Sequence, residues 1–475
     1  MALDCSFLKL KGRTTKRLNH PIRRNSFYVN SIFHAILIHT SIPHTNPFPS
    51  HTWGLNSSYG VFLAHYLSTN TFPGATRLEF AFVGGLSISM SLLVSPLATM
   101  TTRLYGTRTT LLIGVFLETM SLIGASFATK IWHLFLSQGV CFGWGMGFLF
   151  VGSVVIVPQW FTTQRSLANG ISASGSGLGG LIYSLAANSM IQNISLGWAF
   201  RILGIVACFV NCACAFLIKD RNKQIGSSQL SFDYRLFRRM EFLLLLVFGF
   251  LSMLGYIVLL FSLPNYAQSV GLTAKQGSII GAVLNLGQAL GRPPIGYFSD
   301  SMGRINMAGT MTFFAGLFPL VIWIPAKSFG VLIFFALIGG TVAGTFWAIV
   351  APVWTEVLGL VDLPASLSIT WLVLVLPTTF SEAIALQIVS SNKGDYLGAQ
   401  LFAGFMYIGA AGFVWLVRTW KIGELEEKAA LMHTSPEKMD PVTDAVGPEN
   451  GETGEVMKVE GKSPFIKRLF KWQKV

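Results

Sequence analysis

The sequence predicts an all-α polytopic membrane protein folded as two six-helix bundles around a central site. Three observations predict it. Hydrophobic residues fill 52 % of the 475 positions and charged residues 12 %, with a mean hydropathy of +0.57; a soluble globular chain carries about twice that charge. Apolar windows of about 20 residues recur, each long enough to cross a bilayer core of roughly 30 Å. A weak internal repeat completes the case. Pro96 and Gly106 bracket one interspan loop, and Pro293 and Gly303 bracket another at the same spacing. Two related halves with a solute site between them near the midplane leave such a repeat.

Taken in order, residues 1–52 read as a basic, irregular amino terminus with Lys9, Lys11, Arg13, Lys16, Arg17, Arg23 and Arg24. The short apolar piece Ile32 to Ile38 breaks off into Pro43, Pro47 and Pro49, which do not continue a helix. Apolar character resumes at Trp53 and gives a short first span near 53–67. Further spans are expected near 79–98, 109–128, 132–157, 166–189 and 198–218, completing an N-terminal bundle over 53–218. A charged loop over 219–240 separates it from a C-terminal bundle over 241–420, with spans near 241–262, 275–298, 305–325, 329–351, 364–390 and 395–417. Residues 421–475 turn polar and read as a disordered tail.

The basic residues set the orientation. Arg103, Arg108, Arg165 and the cluster Lys219, Arg221, Lys223, Arg235, Arg238 and Arg239 fall in alternate connections, while the others carry mostly single lysines. Both termini are therefore expected in the cytosol. The net charge of +13 has the same source, so no nucleic-acid partner is expected. The five cysteines have no metal spacing, and Cys141, Cys208, Cys212 and Cys214 lie in apolar segments. No metal, no cofactor and no enzymatic constellation is expected. The partners are a small-molecule substrate and the bilayer.

Chemistry concentrates between Asn285 and Asn306. Asn285, Gln288 and Arg292 share one helical face by their i, i+3, i+7 spacing. A fixed cation inside an apolar segment costs several kcal/mol unless it is compensated, so Arg292 marks a cavity or a pathway by default, and the functional reading is that it holds an anionic or strongly polar group of the substrate. Its planar fork suits both oxygens of a carboxylate. The plainer reading is that it snorkels or pairs with Asp300. Glu118 in span three and Glu382 in span eleven are candidate proton or polar relays, against hydrogen-bonded or exposed carboxyls with no such role. Asn56 and Trp371 are candidate cavity-lining residues, against simple packing. Gly296, Asp300, Gly303 and Arg304 read as a gating turn, joined by Arg103, Arg108 and Arg165 at the matching loop ends. The acid stands only in the second repeat, so a latch between an acid and a helix end is expected there. The small-residue run from Gly170 to Gly180 is a packing surface. It lacks the Gly-Lys-Ser/Thr end of a phosphate loop, and ATP-driven transport is unsupported.

The Gly-x-x-x-Asp-x-x-Gly-Arg run from Gly296 to Arg304 resembles the interhelix signature of the major facilitator superfamily. Within it, the chain is similar to the fungal branch of the monocarboxylate transporter-like family from about Trp53 to Trp420. The specific stretches are Trp160-Phe-Thr-Thr-Gln-Arg-Ser-Leu-Ala-Asn-Gly170, Gly291-Arg-Pro, Leu363-Pro-Ala-Ser and Leu376-Pro-Thr-Thr-Phe-Ser-Glu382. Three features depart from the family. The aspartate-glycine-tryptophan opening of span one is missing, Ser57 stands at the place of the substrate lysine of animal lactate carriers, and Gln288 stands at that of their proton-carrying aspartate. The loss of resemblance before Trp53 points to a misassigned splice junction in residues 31–52, which sequencing the transcript tests. The resemblance implies a major facilitator fold and a secondary active transporter of a small organic solute, such as a monocarboxylate or a related polar metabolite. It would work by alternating access in the plasma membrane, with proton coupling of another kind than in the animal carriers. Efflux of a fungal secondary metabolite is the alternative, and a non-transporting membrane sensor is a weaker one.

Overall fold

A computed structural model describes residues 48–69, 71–226, 232–434, 465–471 and 473–475. The basic stretch at the amino terminus and residues 435–464 lie outside the described residues.

Twelve helical rods follow one another. α1 comprises Phe48–Ser57 and Tyr59–Thr69, and α2 comprises Arg77–Leu93 and Ser95–Tyr105. α3 is Thr107–Ala125, α4 Ile131–Trp160, α5 Arg165–Asn193 and α6 Leu196–Leu217. After the connecting segment come α7 (Met240–Ser269), α8 (Ala274–Met302), α9 (Arg304–Trp323), α10 (Phe329–Leu358), α11 (Leu363–Ser391) and α12 (Leu397–Thr434). A short helix, α13, spans Phe465–Phe470. No strand occurs among the described residues, so the all-α class holds.

Hydropathy explains the layout. Among the described residues eight rods are long and apolar enough to cross a membrane, and a ninth joins them if α2, bent by 42°, counts as one span. The three left over, α1, α5 and α8, are the more polar ones, and α5 packs most extensively against α8 and α1. Glycines permit that approach; a Cβ on Gly177 of α5 would stand 2.8 Å from the Asn285 carbonyl oxygen of α8. Small residues thus let the polar helices α1, α5 and α8 pack closely on one another.

The two repeats end alike. α2 and α8 each begin with a capping box, Thr76 with Glu79 and Thr273 with Gln276. Each turns into the next helix at a glycine with positive φ, 85° at Gly106 and 106° at Gly303, a conformation that other residues adopt only at a cost. The face of the molecule holding these two turns is called the basic face below.

Helix ends differ from the sequence reading at several places, and four of the differences bear on the site or the chain ends. α1 starts at Phe48, because Pro49 sits in the first helical turn, where a missing N–H costs nothing. α8 continues past Pro293 and Pro294 to Met302, so the turn into α9 shrinks to Gly303, with Asp300 in the last turn of α8 and Arg304 opening α9. α12 passes Trp420 and continues to Thr434, where Glu424 accepts from Lys421 at 2.9 Å and from Lys428 at 2.5 Å, supports typical of a polar helix.

The fourth concerns the last residues, which dock against the bundle. Val475 O accepts from the Ile305 and Asn306 N–H groups at 3.0 and 3.4 Å, two of the orphan donors at the start of α9. Arg418 of α12, 2 % exposed, donates to Asn306 Oδ1 at 2.6 Å and to the carbonyls of Arg468, Leu469 and Lys471. Arg468 and Lys471 pair with Glu426 at 3.0 and 2.8 Å. Arg418→Ala is expected to release this segment at a cost of about 2 kcal/mol, since a hydrogen bond to a charged group contributes roughly 1.5–3 kcal/mol. The measurement is the rate of tryptic cleavage at Lys467–Lys471 in the folded protein, which should rise.

Candidate functional site

The bundles meet along a seam that is tied from mid-depth to the basic face. At the basic face, the Asp300 carboxylate caps the start of α5, accepting from Ser166 N at 3.1 Å and Leu167 N at 2.9 Å. Those N–H groups have no partner within α5, and the positive end of the helix favours an anion there. Arg304 donates to Asp300 Oδ1 at 3.2 Å, to Glu356 Oε2 at 2.6 Å and to the Thr162 carbonyl at 2.9 Å. Ser299 Oγ donates to Ser166 Oγ at 3.2 Å. Arg165 is buried beside this network and donates Nε–H to the Phe161 carbonyl. Gly296 makes the approach sterically feasible, since a Cβ there would stand 2.4 Å from the Ser166 carbonyl oxygen.

Two further ties lie deeper. Ser95 Oγ of α2 donates to the Ser368 carbonyl of α11 at 3.0 Å. Asn169 Nδ2 of α5 donates to the Ala348 carbonyl of α10 at 2.6 Å. Pro352 sits four residues after Ala348 and has no N–H to give it, so the opposite bundle supplies the missing donor. The basic face is closed in this conformation. Gly296→Val is expected to hold it open by about the width of a methyl group and to cut turnover at least tenfold; labelling of a cysteine placed at Ser299 measures the opening.

Arg292 lies ten residues before the end of α8, roughly 15 Å below the basic face. It is 3 % exposed. Nη1 donates across the seam to the Ala173 carbonyl at 2.6 Å and to Ser176 Oγ at 2.5 Å, and Nη2 donates to Gln288 Oε1 at 2.8 Å. Gln288 Oε1 also accepts from Tyr256 Oη of α7 at 2.9 Å. Every acceptor is neutral, and none of the ion pairs among the described residues includes Arg292. Its Nε–H is buried without a partner. The Nε and Nη2 edge faces Gly344, where α10 breaks; a Cβ at Gly344 would stand 2.9 Å from Nε and 3.0 Å from Nη2. A buried guanidinium with an unsatisfied Nε–H and no ion-pair partner among the described residues is a candidate anion site.

An aromatic cluster lies next to it and joins both bundles. Trp53 of α1 meets Trp347 of α10 at 5.0 Å between ring centroids and Phe150 of α4 at 5.5 Å. Trp371 of α11 stacks on Trp347 at 5.9 Å and 12°, and meets Phe150 at 5.0 Å. Tyr256 lies 6.4 Å from Trp347. Trp371 is fully buried, and its Nε1–H has no partner.

The structure therefore brings together Arg292, Gln288, Tyr256, Trp347 and Trp371, with Asn285 Oδ1 3.5 Å from Gln288 Nε2. It does not bring Asn56 to them. Asn56 accepts from Ser87 Oγ at 2.7 Å and lines a small cavity inside the N-terminal bundle with Tyr59 and Gln138. Glu382 sits on α11 near the far end of the C-terminal bundle, where both its oxygens lie 3.0 Å from Ser262 Oγ. Glu118 is buried on α3 against Asn211 of α6. Arg103 and Arg108 are exposed and do not join the seam. Sequence reasoning missed Trp53, Phe150, Tyr256, Trp347, Asn169 and Glu356. Only Asn169 carried a signal, as an amide inside a small-residue helix. Among the described residues no three His, Cys, Asp or Glu side chains gather as a metal site needs.

Two bundles of membrane-length helices, closed at one face over a buried polar site, form the architecture of a solute transporter. The comparisons with known proteins agree. A family model described as Major Facilitator Superfamily matches residues 50–359, and the chain belongs to that superfamily. It is 34 % identical over 382 residues to the probable transporter MCH2 of Saccharomyces cerevisiae, covering 79 % of this chain and 81 % of that protein. It is 26 % identical over 364 residues to a fujikurins efflux protein of Gibberella fujikuroi, covering 75 % and 77 %. Its fold is similar to that of the proton:xylose symporter XylE, with a TM-score of 0.64 at 12 % identity over 82 % of this chain and 96 % of that one. The fucose:proton symporter FucP of E. coli gives 0.60 at 13 % identity over 78 % and 97 %. The protein is a multi-pass membrane transporter.

Proposed function

We propose that this transporter is a monocarboxylate transporter-like carrier that moves a small organic anion by secondary active, alternating-access transport, with Arg292 as the anchor of the anionic group. The observation that carries the reading is the buried Arg292 guanidinium, whose Nε–H is unsatisfied and which no acid neutralises. A carboxylate placed on the Nε and Nη2 edge would satisfy the orphan donor and balance the charge at once. Gln288 and Asn285 extend the polar side of the site, and Trp371 and its neighbours form the apolar side. Because Arg292 also bonds the Ala173 carbonyl and Ser176 across the seam, substrate arriving at its free edge is coupled to the contact that the bundles must exchange as they rock. Asp300, Gly303 and Arg304, with Arg165 and Gly296, are the gate on the basic face. By the positive-inside rule that face is the cytosolic one, with both termini in the cytosol and the protein in the plasma membrane.

Proton coupling fits a buried carboxyl, and Glu382 is the candidate for it. A second reading, export of a bulky metabolite, is supported by the aromatic cluster and by the printed name of the Gibberella relative. Metabolite profiling of a deletion strain and its complemented parent, inside and outside the cell at two external pH values, separates the two. An anion left unused outside the deletion strain, more so at low pH, supports proton-coupled uptake. A product retained inside it supports export, and no change in any organic anion contradicts both.

A further inference from the structure

Glu118 and Asn211 form an unusual pair. Glu118 is 1 % exposed and Asn211 fully buried. Asn211 Nδ2 donates to Glu118 Oε2 at 2.7 Å. The other two oxygens of the same pair, Glu118 Oε1 and Asn211 Oδ1, are buried and have no hydrogen-bond partner. α4 packs directly on the Glu118 backbone, where a Cβ on Gly145 would collide with Glu118 N.

The groups facing the pair offer no charge to hold an anion. None of the ion pairs among the described residues includes Glu118. The titratable neighbour is Tyr183 of α5, whose hydroxyl is hydrogen-bonded to His51 Nδ1 of α1 at 2.8 Å, with Cys214 of α6 beside that tyrosine. On the α4 side Cys141 bonds the Leu117 carbonyl.

An ionised carboxylate only accepts, and the amide oxygen only accepts. With Glu118 ionised, two buried acceptors of one pair would lack donors, and a bare charge would sit inside an apolar bundle. A single proton on Glu118 Oε1 removes both faults. It makes Oε1 a donor, and Asn211 Oδ1 is the unsatisfied acceptor of the same pair. We propose that Glu118 and Asn211 are a proton-binding site, a carboxylic acid–amide pair that keeps its proton on Glu118 while the transporter cycles. The seam is built by α2, α5, α8, α10 and α11, whereas α3 and α6 pack behind it within the N-terminal bundle, so the pair is set back from the solute path. The coupling proton of any symport must then use another group. This inference does not depend on which solute moves.

The test combines infrared spectroscopy of the full chain in lipid with two substitutions. The expected spectrum shows a protonated-carboxyl stretch that Glu118→Gln removes and that persists across the working pH range. Glu118→Gln restores the same donor and acceptor, so its thermal stability and transport should stay within about twofold of wild type. Glu118→Ala should lose about tenfold or more of folded, active protein, the factor that roughly 1.4 kcal/mol carries. The proposal is overturned if the stretch is missing, if it titrates within that range, or if Glu118→Gln is as defective as Glu118→Ala.

Discussion

Arg292→Ala is expected to reduce transport efficiency by roughly 30-fold to several thousand-fold. Truncating one member of a buried, hydrogen-bonded charge interaction costs about 2–5 kcal/mol, and each 1.4 kcal/mol is about tenfold. Two losses add. The proposed anion would lose its anchoring cation, and Gln288 Oε1, Ser176 and the Ala173 carbonyl each lose a donor. Arg292→Lys separates them. A lysine keeps the charge but presents no flat edge, so it cannot hold both oxygens of a carboxylate. Its expected signature is a raised KM, by about tenfold, with folded protein at the wild-type level. Uptake kinetics at matched expression check it. An unchanged KM would mean that Arg292 serves the seam alone.

Asp300→Asn should open the basic face. The carboxylate accepts two backbone N–H groups at the start of α5 and also Arg304. Charge-assisted bonds of this kind contribute about 1.5–3 kcal/mol each, so losing the charge shifts the balance between closed and open states by roughly ten- to a hundredfold. The substitution preserves shape, which leaves packing at Gly296 intact. A cysteine at Ser299, fully buried in the closed state, reports the change through faster reaction with an impermeant maleimide added from the basic side. An unchanged rate would show that the other seam contacts hold the face shut without Asp300.

How much of this was legible in the sequence follows from how each signal sums. Spans add hydropathy over some twenty residues, so a single odd residue barely moves them. The turns at Gly106 and Gly303 were legible for a different reason, since positive φ restricts the residue type. Features decided by one residue in tertiary context were not. Pro49 looked like a break and instead occupies a first turn. Lys421, Glu424 and Lys428 looked like a polar tail, because a solvated helix and a disordered segment share a composition. Trp53, Phe150 and Trp347 are single aromatics in apolar helices, and nothing local separates a seam residue from a lipid-facing one. The Ala348 carbonyl is freed by Pro352, but only the fold shows that Asn169 meets it. Arg103 occupies the repeat position of Asp300 with the opposite charge, so the first loop cannot cap a helix start as the second does.

The central claim is that a buried guanidinium anchors an organic anion. The most direct measurement is counterflow in proteoliposomes holding the purified full chain, with a panel of carboxylates and their neutral amides, for the wild type and Arg292→Lys. Saturable counterflow of a carboxylate but not of its amide, with KM raised in the variant, is the predicted result. Equal counterflow of acid and amide, or identical kinetics in the variant, would contradict it.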